Sequence, residues 1–413
     1  MGTIRARIWP PALALAAAVL CVAPALGQPA ELPEGPAKPI IQTRCVACHE
    51  LTRITGAGND AAGWRNTVAM MKNLGVPLSP AESDTVLAYL VRYYPPRPMP
   101  KTPILAGPVK VSFTEWDVPT PGSRPHDPLA AADGSLWYSG QFANVLGRLD
   151  PKTGQFREYK AGPAGSGPHG LIEDRAGNVW YTANFKGYIG KLDPRTGQVV
   201  QYPMPDPAVR DPHTLLFDNQ GIIWFTAQSA NRVGRLDPKT GAIRLATAPT
   251  PHANPYGLVI SSKGDPFFDE FGANKIGRID PQTLAIREYL LPEGARPRRI
   301  AITGDDVIWY SDYARGYLGR LDPVTGKVTE WPSPGGPRSQ PYAITALKGV
   351  IWYVESGTSP NALVRFDPAT QRFQTFAIPS GGGVVRNMMP TADGQALALA
   401  CSGVNKVALA RIG

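Results

Sequence analysis

The chain has 413 residues, 18% of them charged, with 43 glycines, 44 prolines, four cysteines and a formal net charge of +9. That length allows two or three domains or one large repeat architecture, and four cysteines are too few for a disulfide-stapled scaffold. No Lys/Arg-rich run or basic helix accompanies the positive balance, which argues against nucleic acid; a modestly basic surface suits an acidic partner.

Residues 1–27 read as a secretory signal. Arg5 and Arg7 supply the charged start, Pro11 to Ala25 the apolar run, and Ala25-Leu26-Gly27 a small-x-small cleavage site before Gln28. The run is short for a bilayer span and contains prolines. Cleavage after Gly27 removes two arginines and lowers the formal charge to +7. No later stretch is apolar for long enough to cross a membrane, so an exported, soluble, monomeric product is expected.

Three helices are expected over residues 28–95. The first runs from about Ala37 into Cys45-Val46-Ala47-Cys48-His49. Two cysteines so spaced can both form thioether bonds to haem vinyl groups, and the following histidine reaches the iron. A zinc site needs two more ligands, but the next cysteine is Cys401, and the βαβ surround of a redox CxxC is absent. One covalent haem c is therefore expected, held by Cys45 and Cys48 with His49 as axial ligand. Haem attachment in an exported chain points to a bacterial periplasm.

The second helix starts after Asp60 and places Trp64, Val68 and Met71 on one face before Gly75 stops it. Met71 is the candidate sixth iron ligand, with core filler as the alternative reading. The third opens on the capping box Ser79-Pro80-Ala81-Glu82 and carries Val86, Leu87, Leu90 and Val91 inward until Pro95-Pro96. Through CVACH, Trp64, Val68, Met71, Gly75 and the closing Tyr89-Leu90 and Tyr93-Tyr94, this segment resembles the small class I cytochromes c. The proline-rich residues 96–110 read as a stiff linker.

Residues 111–413 are a repeat. RLDPKTG at Arg148 recurs in variant form at Lys191, Arg235, Arg278, Arg320 and Arg365, with a truncated copy at Arg411. Periods in the forties with several short strands each indicate propeller blades. Aspartate opens each turn, proline fixes the next φ, and glycine takes the positive φ at the exit. Trp137, Trp180, Trp224, Phe267, Trp309 and Trp352 recur on the second strand of each unit as packing between blades. The last unit lacks a fourth strand, and Val111-Ser112-Phe113-Thr114-Glu115-Trp116 matches fourth strands elsewhere, so it should close a seventh blade. The fold class is thus multi-domain: a small all-α domain followed by an all-β seven-bladed propeller.

In such a blade the start of the first strand and the end of the second meet on one face. The start positions read His126, His169, His213, Tyr256, Arg298, Tyr342 and Arg386, all but the last preceded by proline. The end positions read Gly140, Ala183, Ala227, Glu270, Asp312, Glu355 and Cys401. One channel mouth should therefore carry three histidines facing three carboxylates. The imidazoles are candidates for a metal site including His126 or for acid–base work, and the carboxylates suit a hard cation or cationic substrate. Glu270, Arg298, Asp312 and Glu355 are the candidate substrate contacts. The bland reading is a polar lining to a wet channel.

The phrases SGPHGLIED, VWYT, FGANKIGRID and REYLLP resemble virginiamycin B lyase, the streptogramin B lyase family of seven-bladed propellers, over all of residues 111–413. The resemblance implies magnesium and a histidine base that opens a cyclic depsipeptide by elimination. It implies that His169 contacts substrate, Asp211 ligates metal and His213 is the base; the second metal carboxylate falls on Ala227. Three functions follow. The first is an exported monohaem cytochrome whose propeller binds a small-molecule substrate or a redox partner protein. The second is a metal-dependent carbon–oxygen lyase or hydrolase with an auxiliary haem, and the third a haem-regulated binding module.

Overall fold

The computed structural model describes residues 31–413; the signal segment expected at 1–27 lies outside them. Four short helices come first: α1 (Lys38–Ile40), α2 (Thr52–Thr55), α3 (Ala61–Asn73) and α4 (Pro80–Tyr93). The helix expected to run into the CxxCH motif widens instead into a π turn, Ile41–Cys45, and α2 carries no periodic signal that would have announced it. The caps behave as the sequence dictates. Asp60 accepts from the Gly63 N–H at 2.7 Å, Gly75 ends α3 at φ +100°, and Ser79 and Glu82 close a reciprocal box at the start of α4. These helices enclose a core of their own around Leu32, Ile41, Trp64, Val86 and Leu90. The Trp64 indole N–H donates to the Tyr94 carbonyl at 2.8 Å, which ties α3 to the end of α4.

The rest of the chain forms seven four-stranded antiparallel sheets in a ring. The innermost strands of blades 1 to 7 are Pro125–Ala130, Pro168–Glu173, Pro212–Phe217, Pro255–Ile260, Pro297–Ile302, Pro341–Leu347 and Val385–Pro390. Blade 7 is completed by Val111–Asp117, which pairs with Lys406–Ile412 from Val111↔Ile412 to Asp117↔Lys406. The join completes blade 7 as a four-stranded sheet like the other six.

Each repeat motif has a local cause. In blade 1, Asp150 accepts from the Lys152 N–H at 2.9 Å, and Gly154 takes φ +73° as its N–H reaches the Asp150 carbonyl at 2.8 Å. In the first five blades the glycine before the Arg/Lys of the motif is forced by an aromatic ring of the second strand. A Cβ at Gly147 would stand 2.0 Å from the Tyr138 ring, and Gly190, Gly234, Gly277 and Gly319 meet Tyr181, Phe225, Phe268 and Tyr310 in the same way.

Neighbouring blades are also stitched by hydroxyls. Ser139, Thr182, Thr226 and Ser311 donate to the carbonyls of His169, His213, Tyr256 and Tyr342 at 2.6–2.7 Å. The residue so held is the start residue of the next blade's innermost strand. A rigid hydroxyl-pinned hoop therefore fixes the ring of side chains at the axis.

The linker does not swing free. The Ser359 N–H donates to the Pro100 carbonyl at 2.9 Å, and Leu105 and Thr375 exchange hydrogen bonds beside the outer strand of blade 6. Helix α3 lies directly on the propeller. Asn66 donates to the Gly403 carbonyl at 2.8 Å and Asn73 to the Pro121 carbonyl at 2.9 Å. Gly122, at φ +68°, packs so closely that a Cβ there would sit 2.4 Å from the Met70 nitrogen. Among the described residues no helix is long and apolar enough to cross a membrane.

Candidate functional site

Two places gather chemistry-bearing side chains. The first is a cavity within the helices, lined by Cys45, His49, Met71 and Arg53 against Trp64, Val68 and other apolar walls. The π turn presents Cys45 to this space, α3 presents Met71 from the stripe it shares with Trp64 and Val68, and the His49 Nδ1 lies 3.2 Å from the Glu50 carbonyl. Burial pushes the Cys45 thiol pKa up. Cys48 is exposed, outside the lining. The backbone of Met70, one residue before, packs on Gly122 of the propeller.

The second is the ring axis, on the same face as α3. His126, His169 and His213 stack there, with successive ring centroids 3.7 Å apart, and Tyr256 continues the stack 4.0 Å from His213. All three histidines are buried. Burial first lowers their pKa values, His213 to about 3; the arginine charges add to this at His126 and His213, and the two flanking imidazoles at His169. They are neutral near pH 7. The His126 Nδ1 donates to Asp127 at 2.9 Å, and the same carboxylate accepts from Arg299 at 2.8 Å and Asn387 at 2.9 Å.

The arc opposite the histidines is not acidic. Glu270, Asp312 and Glu355 sit at their expected strand ends, but they pair in register with Pro255, Pro297 and Pro341, one position before the axial residues. Side chains alternate across a strand, so this single-residue offset turns them away from the axis. Asp312 binds Arg315 at 2.6 Å, and Glu355 accepts from Ser333 at 2.5 Å and from the Gly335 N–H at 2.7 Å. Glu270 stands beside Glu288, and burial raises its pKa to about 8, with Glu288 adding to it.

What faces the histidines is cationic and aromatic. The Arg298 guanidinium lies 4.1, 4.2 and 4.8 Å from the ring centroids of Tyr342, Tyr313 and Phe271. Arg124 lies over Phe142 and donates to Gln141 at 2.7 Å. Arg386 completes the set, and its Nε and that of Arg298 are buried without a hydrogen-bond partner. Burial, then Arg386, lowers the Arg124 pKa to about 9. The Tyr256 and Tyr342 hydroxyls are bonded to one another. Burial alone would raise the Tyr342 pKa, but Arg298, Arg386 and Arg299 bring it down to about 8.

Sequence reasoning named the axial residues and missed Asp127, Arg299 and Asn387. The signal was available one position further along each innermost strand, where those three residues occupy equivalent places. Phe271 and Tyr313, which follow second-strand ends, were missed for want of any pattern.

These residues do not fit magnesium. His126, Asp127 and His169 each bring one ligand atom within 4.8 Å of the others, but Asp127 is already held by Arg299 and Asn387, and the surrounding guanidiniums oppose a cation. Asp211 is spent capping the Ser229 and Ala230 N–H groups. Ala227 offers no ligand.

Comparison with known proteins agrees with this architecture. The sequence profile of the Virginiamycin B lyase family matches residues 107–270. A streptogramin B lyase structure is similar at 27% identity and a TM-score of 0.67, over 73% of this chain and 98% of that one. A catalytically inactive histidine variant of virginiamycin B lyase from Staphylococcus aureus, solved with quinupristin, is similar at 25% identity and a TM-score of 0.66, over 73% and 99%. The selenomethionine form of the Staphylococcus aureus enzyme shares the fold at 24% identity with the same TM-score and coverage. No curated protein is significantly similar in sequence to the chain. Residues 111–413 thus form a virginiamycin B lyase-like seven-bladed propeller.

Proposed function

We propose that the chain is an exported, periplasmic monohaem cytochrome c whose helical module exchanges electrons with a substrate or partner at the axial face of the propeller. The observation that carries this reading is the gathering of Cys45, His49 and Met71 on one apolar cavity, with Cys48 exposed three residues after Cys45. Bound there, a haem supplies one-electron chemistry with His/Met ligation. The chain's own residues have distinct tasks. Cys45 and Cys48 tether, His49 and Met71 ligate, Arg53 offers a cation to a propionate, and Trp64, Val68 and Leu90 exclude water. Met71 and Met70 adjoin on α3, one lining the cavity and the other resting on the propeller. Helix α3 therefore lies between the cavity and the propeller.

The mass and spectrum of the purified exported protein test it. A covalent mass increment and a sharp α-band on reduction are expected, and Cys45→Ser with Cys48→Ser should abolish both. Colour retained by that double variant would overturn the reading. A second reading, elimination of the streptogramin-lyase type, is favoured by the family match over His126, His169 and His213. Opening of quinupristin, lost in His213→Ala, would establish it; no turnover with or without added divalent cation would remove it.

A further inference from the structure

The propeller axis holds an electrostatic account that the residues alone do not balance. Four arginines, Arg124, Arg298, Arg299 and Arg386, are close enough to perturb the same buried groups. Only Arg299 has a carboxylate partner, Asp127. Among the described residues, the other three make no ion pair, although each is only partly exposed. Bringing uncompensated guanidiniums together out of water costs stability, and proteins tolerate such clusters where an anion completes them. The neutral histidines do not cancel the charge; they leave it to be answered from outside.

A space for the answering group adjoins the cluster. A cavity of about 660 Å³ lies on the same face, between the linker residues Pro98, Met99 and Pro100 and the rings of Phe271 and Tyr313. Those two rings also form part of the cage around Arg298. The cavity wall and the arginine cage are therefore the same side chains seen from two sides. Its volume suits a small molecule, and its wall combines apolar linker atoms with aromatic faces and two further arginines, Arg296 and Arg338.

We propose that this face binds a small organic carboxylate, its anionic head on Arg298 and Arg386 and its apolar body against the Phe271 and Tyr313 rings that wall the cavity beneath Pro98–Pro100. Arg298 and Arg386 flank Tyr342 in the ring order, and the Nε of each is buried without a hydrogen-bond partner. Paired guanidinium donors match a carboxylate's two oxygens. The linker is thus a wall of the site as well as a tether. The proposal goes beyond electron transfer, since binding requires neither haem nor a change of oxidation state.

Calorimetric titration of the full chain tests it, with benzoate, acetate and inorganic phosphate as probes at constant ionic strength and neutral pH. Benzoate should bind saturably at one site per chain, and more tightly than acetate. Arg386→Gln should weaken benzoate about tenfold or more, the equivalent of one charge-assisted hydrogen bond. Arg298→Gln should do at least as much; should it fail to fold, Arg386→Gln reads the same interaction. Met99→Trp, which fills the cavity, should weaken benzoate and leave acetate unchanged. Absence of saturable heat from every probe overturns the proposal. So does wild-type benzoate affinity in a folded Arg386→Gln protein, judged by circular dichroism. Phosphate binding more tightly than benzoate, with no effect of Met99→Trp, overturns the assignment to organic carboxylates. Because the readout is heat of binding, its failure leaves the cytochrome reading standing, and the reverse also holds.

Discussion

Asp127 is the carboxylate on which the axial cluster turns. It satisfies Arg299, His126 and Asn387 together, and both it and Arg299 are nearly inaccessible. Removing one partner of a buried pair strands the other charge, at a cost of about 3–5 kcal/mol. Asp127→Asn should therefore lower stability by that order, read as a shift in the denaturant midpoint with an unchanged slope; a shift within experimental scatter would show that Arg299 is compensated elsewhere. A different carboxylate invites the opposite outcome. Asp269 occupies the place where blades 1, 2, 3 and 5 carry a stitching serine or threonine, accepting from the Gly257 N–H at 2.8 Å while its other oxygen is buried without a partner. Burial raises its pKa well above the usual carboxylate range. A raised carboxyl pKa favours the protonated form in the folded state, which then mimics the hydroxyl of its neighbours. Stability from this group is complete below the unfolded pKa of 3.8 and is lost as pH rises. Asp269→Thr should consequently stabilise the protein at neutral pH and have less effect in acid, measured by thermal unfolding at both.

At the scale of elements, the contact between α3 and the propeller is made by backbone carbonyls and one glycine. Gly122→Ala adds a methyl at a left-handed φ against the backbone of Met70 and Ala69. The helices should lift from the ring while the ring itself stays folded. Limited proteolysis checks this: cleavage within 96–110 should become faster and propeller fragments should stay resistant. Such docking was not legible in the sequence, because Asn66 and Asn73 donate to carbonyls that carry no side-chain signature. The elements themselves were legible. Ser79 and Glu82 announce α4, Asp-Pro-x-Thr-Gly announces the turns, and the orphaned strand Val111–Asp117 announces the closure. At the axis the reading was half complete. The repeat located Glu270, Asp312 and Glu355 at the correct strand ends, but pointing direction depends on a one-residue offset that spacing alone does not expose.

For the whole molecule, the buried histidines set a pH response. Lowered imidazole pKa values mean that stability is complete above the unfolded value of 6.5 and is lost as pH falls, because the unfolded chain takes up protons that the folded one refuses. Each imidazole contributes about 1.4 kcal/mol per pH unit in that window. Glu270 acts the other way, its contribution fading as pH rises from 4.5 to about 8. Unfolding midpoints should therefore fall steeply in mild acid, and His213→Gln should remove about a third of that slope; an unchanged slope would place the response elsewhere.

The footing of α3 has a mechanical corollary. Pro121–Gly122 follows the strand that begins the ring, and Gly403 precedes the strand that ends it, so the helix bridges the two sides of the one junction held without a covalent bond. A clasp laid over a zip shares its load. Whatever loosens the helical module should quicken amide deuteration along Phe113–Trp116 before any other blade responds, and whatever seats it more firmly should slow the same amides.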